Sequence, residues 1–132
     1  MKYFITDTHP LVWYFIGSRK LPRKIERIFD QALAGELGIW VPIVALWEAS
    51  LLEKSGKIRF VKSLDVFVAD IFAQSIKMLD LLPQDILSAH ALNFSKDPFD
   101  TLIVAMAQRI DCPLITGDTL IHAQQPCQLF WD

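Results

Sequence analysis

A three-layer α/β/α sandwich around a mainly parallel sheet is the fold class this sequence predicts, on three observations. Short apolar runs alternate with amphipathic stretches along the chain, the pattern of strands joined by crossover helices. No internal repeat or low-complexity tract breaks that alternation. The 132 residues, 52% apolar and 21% charged, match one domain of about 100 to 200 residues and leave nothing for a second core.

The elements follow in order. Lys2 to Thr6, apolar and aromatic, predicts a buried first strand, and His9 to Ile16 the helix after it. Leu21 to Ala34 carries Pro22 near its start and Ile25, Ile28, Phe29 and Leu33 at helical spacing, with Gly35 and Gly38 ending it. Gly38 to Val41 is the second strand. Ile43 to Lys54 repeats Val44, Trp47, Leu51 and Leu52 as a helical face, stopped by Gly56. Trp47 and Phe67 are expected in the core. Leu64 to Ser75 predicts a helix, Ile76 to Leu79 a strand, and Pro83 at N1 opens a helix through Leu92. Asp97-Pro98-Phe99-Asp100 starts a very apolar helix, Leu102 to Ile110; Leu114 to Thr116 is a strand, Asp118 to Ala123 a short helix, and Gln128 to Phe130 the last strand.

Composition excludes several classes. The apolar fraction is too high for a disordered chain. The longest apolar stretch, Ile39 to Trp47, is interrupted by Pro42 and falls far short of the roughly 20 residues of a membrane span. Asp7 precedes any h-region, so no secretory signal is expected. Cys112 and Cys127 make no disulfide framework or CxxC pattern, and the expectation is a cytoplasmic protein with partly buried thiols. His9, His90 and His122 have no metal-ligand spacing such as HExxH and read as structural or surface residues, His9 alone lying near the functional rim.

The acids form a pattern. In parallel sheets ligands sit beyond the carboxyl ends of the strands. Asp7 directly follows the first strand, and Asp118 follows Leu114 to Thr116 after one glycine, so both fall at that rim. Asp100 lies in the first turn of the buried helix, whose amino end points to the same rim if the crossovers are right-handed. Glu48 interrupts an apolar helical face, where an unpaired ion costs several kcal/mol. Each acid has a simpler reading as well. Asp97 before Pro98 is a good N-cap, Asp100 can complete the capping, Asp118 can cap the next helix, and Asp7 can be a turn residue. Together, with no base beside them in sequence, the four suggest a shared hard cation such as Mg²⁺ or Mn²⁺.

The ordered set Asp7-Thr8-His9, Leu46-Trp47-Glu48-Ala49, Asp97-Pro98-Phe99-Asp100-Thr101 and Leu114-Ile115-Thr116-Gly117-Asp118 resembles PIN-domain proteins, in particular VapC-type toxins, from residue 4 to about 130. The resemblance implies a PIN-like α/β/α sandwich and Mg²⁺- or Mn²⁺-dependent endoribonuclease activity. It places the catalytic and metal-binding acids at Asp7, Glu48, Asp100 and Asp118, with Thr8 and Thr116 orienting a ligand or water and Asp97 supporting the site. It also implies a homodimer and a cognate antitoxin that holds the enzyme inactive.

A net charge of −2 gives no sign of a nucleic-acid binder, but its distribution does. Arg19, Lys20, Arg23, Lys24 and Arg27 are candidate RNA-binding residues, broken only by Glu26, and Lys54, Lys57, Arg59 and Lys62 form a looser group. A solvated helix face explains the first cluster equally well. Rival readings are a non-catalytic PIN-like docking module and a phosphoaspartyl receiver or phosphatase. The last would want a second acid two residues after Asp7, where His9 stands, or paired acids near the first strand with a late Lys.

Overall fold

The structure, a computed structural model, describes residues 1–72 and 76–132. Its elements are β1 Tyr3–Thr6, α1 Thr8–Ile16, α2 Arg23–Leu33, β2 Gly38–Pro42, α3 Ile43–Lys54, α4 Leu64–Phe72, β3 Ile76–Leu79, α5 Pro83–Ala91, α6 Pro98–Ile110, β4 Leu114–Ile115, α7 Thr119–Gln124 and β5 Leu129–Phe130. Each expected element is present, with boundaries moved by a few residues at most. The expected helix to Ser75 is α4 as far as Phe72, and its remaining positions, 73–75, lie outside the described residues.

All five strands are parallel, in the order β3-β2-β1-β4-β5. The chain lays β1, β2 and β3 outward in one direction, then returns to place β4 on the free side of β1 and β5 beyond it. This reversal separates the connections leaving β1 and β4 and opens a crevice beyond their carboxyl ends.

Strand alternation supplies both faces. Phe4, Ile39, Val41, Ile76 and Ile115 pack with Leu11 and Val12 of α1, Ile25 and Phe29 of α2, and Phe67 and Ile71 of α4. Ile5, Leu79 and Leu114 pack on the other face with Val44 and Ala45 of α3, Ile103, Val104 and Met106 of α6, and Ile121 of α7. A parallel sheet covered on both faces needs such near-continuous apolar strands.

Trp47 corrects the sequence expectation. The buried stripe of α3 is Val44, Ala45, Glu48 and Ala49, and Trp47 is 60% exposed. Small Ala45 and Ala49 let α3 approach its neighbours α1 and α6 closely, and a step of about 100° from Glu48 turns the indole outward. Phe67 is in the core as expected, and Cys112 and Cys127 are partly buried free thiols.

One ion pair ties α5 to α6. Asp85 is buried, accepts from Leu82 N at 2.9 Å, and meets Arg109 Nε at 2.8 Å, while Arg109 Nη2 donates to the carbonyl of Asp80. Among the described residues no helix is long and apolar enough to cross a membrane.

Candidate functional site

Asp7 ends β1 and caps α1, and these two duties fix its carboxylate. Its Oδ1 accepts from Thr8 N at 2.8 Å, and its Oδ2 accepts from Thr116 Oγ1 at 2.7 Å. Asp7 N in turn donates to Ile115 O at 2.9 Å, extending the β1–β4 ladder to the rim. Burial pushes the Asp7 carboxyl up, and Asp118 nearby adds to the rise, while its two donors and His9 offset part of it.

Thr116 organises the other side of the crevice. Its hydroxyl also accepts from Asp118 N at 3.1 Å, and Asp118 Oδ1 caps α7 by accepting from Ile121 N at 2.9 Å. His122 Nε2 stands 2.6 Å from Thr116 O. A carbonyl oxygen only accepts, so that nitrogen carries the proton and holds the Thr116 backbone.

Glu48 reaches the rim from the buried face of α3 and accepts from Thr8 Oγ1. Its carboxyl is pushed up to about 7, first by burial and then by the negative charge of Asp7 and Asp97, with Thr8 opposing. Asp100, half-buried in the first turn of α6, is pushed up to about 7 by burial and by Asp7, Asp97, Asp118 and Glu48. Its polar contact is Ser95 Oγ, at 3.4 Å. Asp97 is the N-cap of α6, accepting from Phe99 N at 2.8 Å and Asp100 N at 3.4 Å.

Asp7, Glu48, Asp97, Asp100 and Asp118 line one cavity of about 290 Å³, with His9 and Trp13 on its wall. No lysine or arginine lines it. The expected acids are thus brought together from four elements, and Asp97 joins them while serving as the expected cap. Thr8 and Thr116 both donate their hydroxyls to carboxylates, Thr8 to Glu48 and Thr116 to Asp7, and so orient the acids. Of the basic candidates, Arg19, Arg23, Lys24 and Arg27 are exposed away from this cavity, with Lys24 Nζ 4.8 Å over the Phe130 ring, and only Lys20 lines a neighbouring cavity.

Ser95 escaped the sequence reading and bonds Asp100, although a Ser two positions before a helix cap is a turn signal. His122, read as structural or surface, holds the Thr116 backbone. Gly117 links Thr116 to Asp118, and a Cβ there would stand 2.5 Å from Cζ2 of Trp131. A dipeptide of Gly and Asp directly after a strand is the cue for such a close approach.

The solved structures share this architecture. VapBC2 from Rickettsia felis bound to a DNA fragment from its promoter superposes with a TM-score of 0.66 at 18% identity, covering 98% of this chain and 99% of that one. A toxin-antitoxin complex from Klebsiella pneumoniae gives 0.60 at 15% identity over 88% and 87% of the two chains. FitAB bound to an IR36 DNA fragment gives 0.61 at 13% identity over 96% and 93%. No curated protein matches the chain in sequence. The PIN domain pattern matches residues 4–124, a span that holds β4 and all four rim acids, and the chain therefore belongs to the PIN domain family.

Proposed function

We propose that this protein is a divalent-metal-dependent endoribonuclease with Asp7, Glu48, Asp100 and Asp118 as its metal-holding acids. One observation carries the reading: four carboxylates from separate elements share a cavity that no lysine or arginine lines. The carboxyls of Asp7, Glu48 and Asp100 are raised, first by burial and then by neighbouring negative charge, as expected of acids crowded without a lysine or arginine partner.

The donor chemistry fits Mg²⁺ or Mn²⁺. Every acidic donor is a hard oxygen, and Asp7 and Glu48 are held in place by protein hydrogen bonds. Among the described residues no three His, Cys, Asp or Glu side chains are gathered closely enough to grip an ion by themselves. Mg²⁺ usually takes one or two carboxylates and completes its shell with water and substrate phosphate. When bound, the cation supplies polarisation of a phosphodiester and a more acidic water. The chain itself orients Asp7 through Thr8 and Thr116, sets Asp118 through Thr116, and keeps lysine and arginine out of the pocket.

The same reading makes the chain the toxin of a toxin–antitoxin pair. It is supported by the likeness to VapBC2, the Klebsiella pneumoniae toxin-antitoxin complex and FitAB. An antitoxin partner and a homodimer belong to the same proposal. Purified protein assayed on RNA with Mn²⁺ and with EDTA is the test. Cleavage with Mn²⁺ that EDTA abolishes is expected, and undiminished cleavage in EDTA would overturn the metal mechanism. Absence of cleavage alongside intact folding would favour a non-catalytic docking module.

A further inference from the structure

We propose that Cys112 and Cys127 are an oxidisable pair, which hydrogen peroxide closes into a disulfide between the entries of β4 and β5, ringing the arm that carries Asp118.

Strand register is the observation that brings them together. β4 and β5 run parallel, with Leu114 and Leu129 as Cα partners and Leu114 N donating to Gln128 O at 2.8 Å. Cys112 lies two residues before Leu114 and Cys127 two residues before Leu129, so the register continued backward sets one cysteine opposite the other. Residues two apart in a strand share a face. Both cysteines pack, as Leu114 and Leu129 do, in the cluster that holds Ile103, Met106 and Ile121. Neighbouring strands stand about 4.8 Å apart, inside the Cα separation of about 4.4 to 6.8 Å that a disulfide takes.

The two approaches to the strands are alike. Asp111, at φ 54°, turns the chain out of α6 into Cys112, and Gln125, at φ 45°, turns it out of α7 toward Cys127. Gln108 Nε2 donates to Pro126 O at 2.7 Å, which fixes the second approach against the end of α6. Both thiols are free, and Cys112 Sγ makes a weak contact with Ile110 O at 3.6 Å that rotation about its Cα–Cβ bond releases.

Burial pushes the Cys127 thiol up to about 11 and raises the Cys112 thiol as well, where Asp111 adds to the effect. Neither is therefore a fast peroxide scavenger, and placement favours the second step instead. One thiolate attacks hydrogen peroxide, the O–O bond breaks, and a sulfenic acid and hydroxide result. The other thiolate attacks that sulfur, the S–S bond forms and a second hydroxide leaves. The two thiol protons convert the hydroxides to water, so two thiols and one peroxide give one disulfide and two waters, with the sulfurs oxidised and the peroxide oxygens reduced. The closed loop of about 15 residues holds Thr116, Asp118 and His122, and it removes chain entropy from the unfolded arm.

The test is treatment of the purified protein with hydrogen peroxide, with EDTA present to suppress metal-catalysed oxidation. Intact mass should fall by two hydrogens. Iodoacetamide under denaturing conditions should label two cysteines before oxidation and none after it, and dithiothreitol should restore both. Tm should rise by roughly 5 to 10 °C on oxidation and return on reduction. Cys112→Ser and Cys127→Ser should each show neither the cross-link nor the rise, and labelling of the parent decides the matter even where a variant does not fold. Two labelled thiols after peroxide, oxygen added to a thiol without a cross-link, disulfide-linked dimers in place of a cross-linked monomer, or a disulfide accompanied by a lower Tm would overturn the inference. Each of these results leaves the nuclease reading intact, since none depends on cleavage.

Discussion

Thr116 Oγ1 donates to Asp7 Oδ2 at 2.7 Å, a contact that spans 109 positions of sequence and joins the two strands flanking the switch point. The same oxygen accepts from Asp118 N, so one hydroxyl sets the positions of two rim acids.

Replacing that hydroxyl tests its importance. Thr116→Val should cost about 1 to 3 kcal/mol, because it leaves buried Asp7 Oδ2 and Asp118 N without partners. Cleavage should fall with it, and Thr116→Ser should restore both. Urea denaturation and kcat/KM on RNA are the measurements, and a Val variant as active as the parent would contradict the assignment.

Asp100→Asn is the cleaner removal of a site acid. Both Asp7 oxygens accept protein hydrogen bonds, whereas the contact of Asp100 is the long one with Ser95. Metal-dependent cleavage should drop by about a hundredfold or more, since a metal ligand contributes several kcal/mol to charge stabilisation. The unfolding midpoint in EDTA should meanwhile hold or rise, because one charge leaves a crowded negative field. A lower midpoint would mean that Asp100 is structural.

The pH dependence has a definite sign. Folding raises the Glu48 and Asp100 carboxyls from 4.5 and 3.8 to about 7, and Asp7 also moves upward, with burial the first cause in each case. The folded state therefore holds these protons longer than the unfolded chain. Their contribution to stability is greatest below the unfolded values and declines as pH climbs toward about 7. In EDTA the urea midpoint should be higher at about pH 5 than at about pH 8. Mn²⁺ competes with those protons, so its rise in Tm should be larger at the higher pH. The reverse ordering would contradict a shared acidic site.

The Arg109–Asp85 pair predicts a stability effect away from the site. Arg109→Met leaves the Asp85 carboxylate buried without its cation and should cost about 3 to 5 kcal/mol. A double Asp85→Leu, Arg109→Met variant should recover much of the loss, measured by urea denaturation. Additive losses in the double variant would show that packing, rather than charge, holds α5 to α6.

Periodicity made most of the fold readable in sequence. Ile25, Phe29 and Ala32 face inward on α2, as the spacing requires, and that same amphipathicity turns Arg23, Lys24 and Arg27 toward solvent. Closeness in sequence to one another therefore said nothing about closeness to the acids. Asp7 and Asp118 could be placed because a parallel sheet puts the ends of all its strands on one rim. The outward turn of Trp47 could not, because it follows from how closely Ala45 and Ala49 let α3 approach its neighbours. Ser95 and His122 act through tertiary contacts to Asp100 and Thr116 that no local pattern encodes.

The strand order has a consequence for when the two strand-end acids meet. The β1–β4 ladder pairs only Ile5 with Leu114 and Thr6 with Ile115. Until that long loop closes, Asp7 and Asp118 belong to separate parts of a growing chain, and a contact of such sequence separation forms late because loop entropy must first be overcome. On the nuclease reading, a nascent chain halted before Leu114 lacks Asp118 and the Thr116 hydroxyl that holds Asp7, so cutting ability waits until β4 docks beside β1.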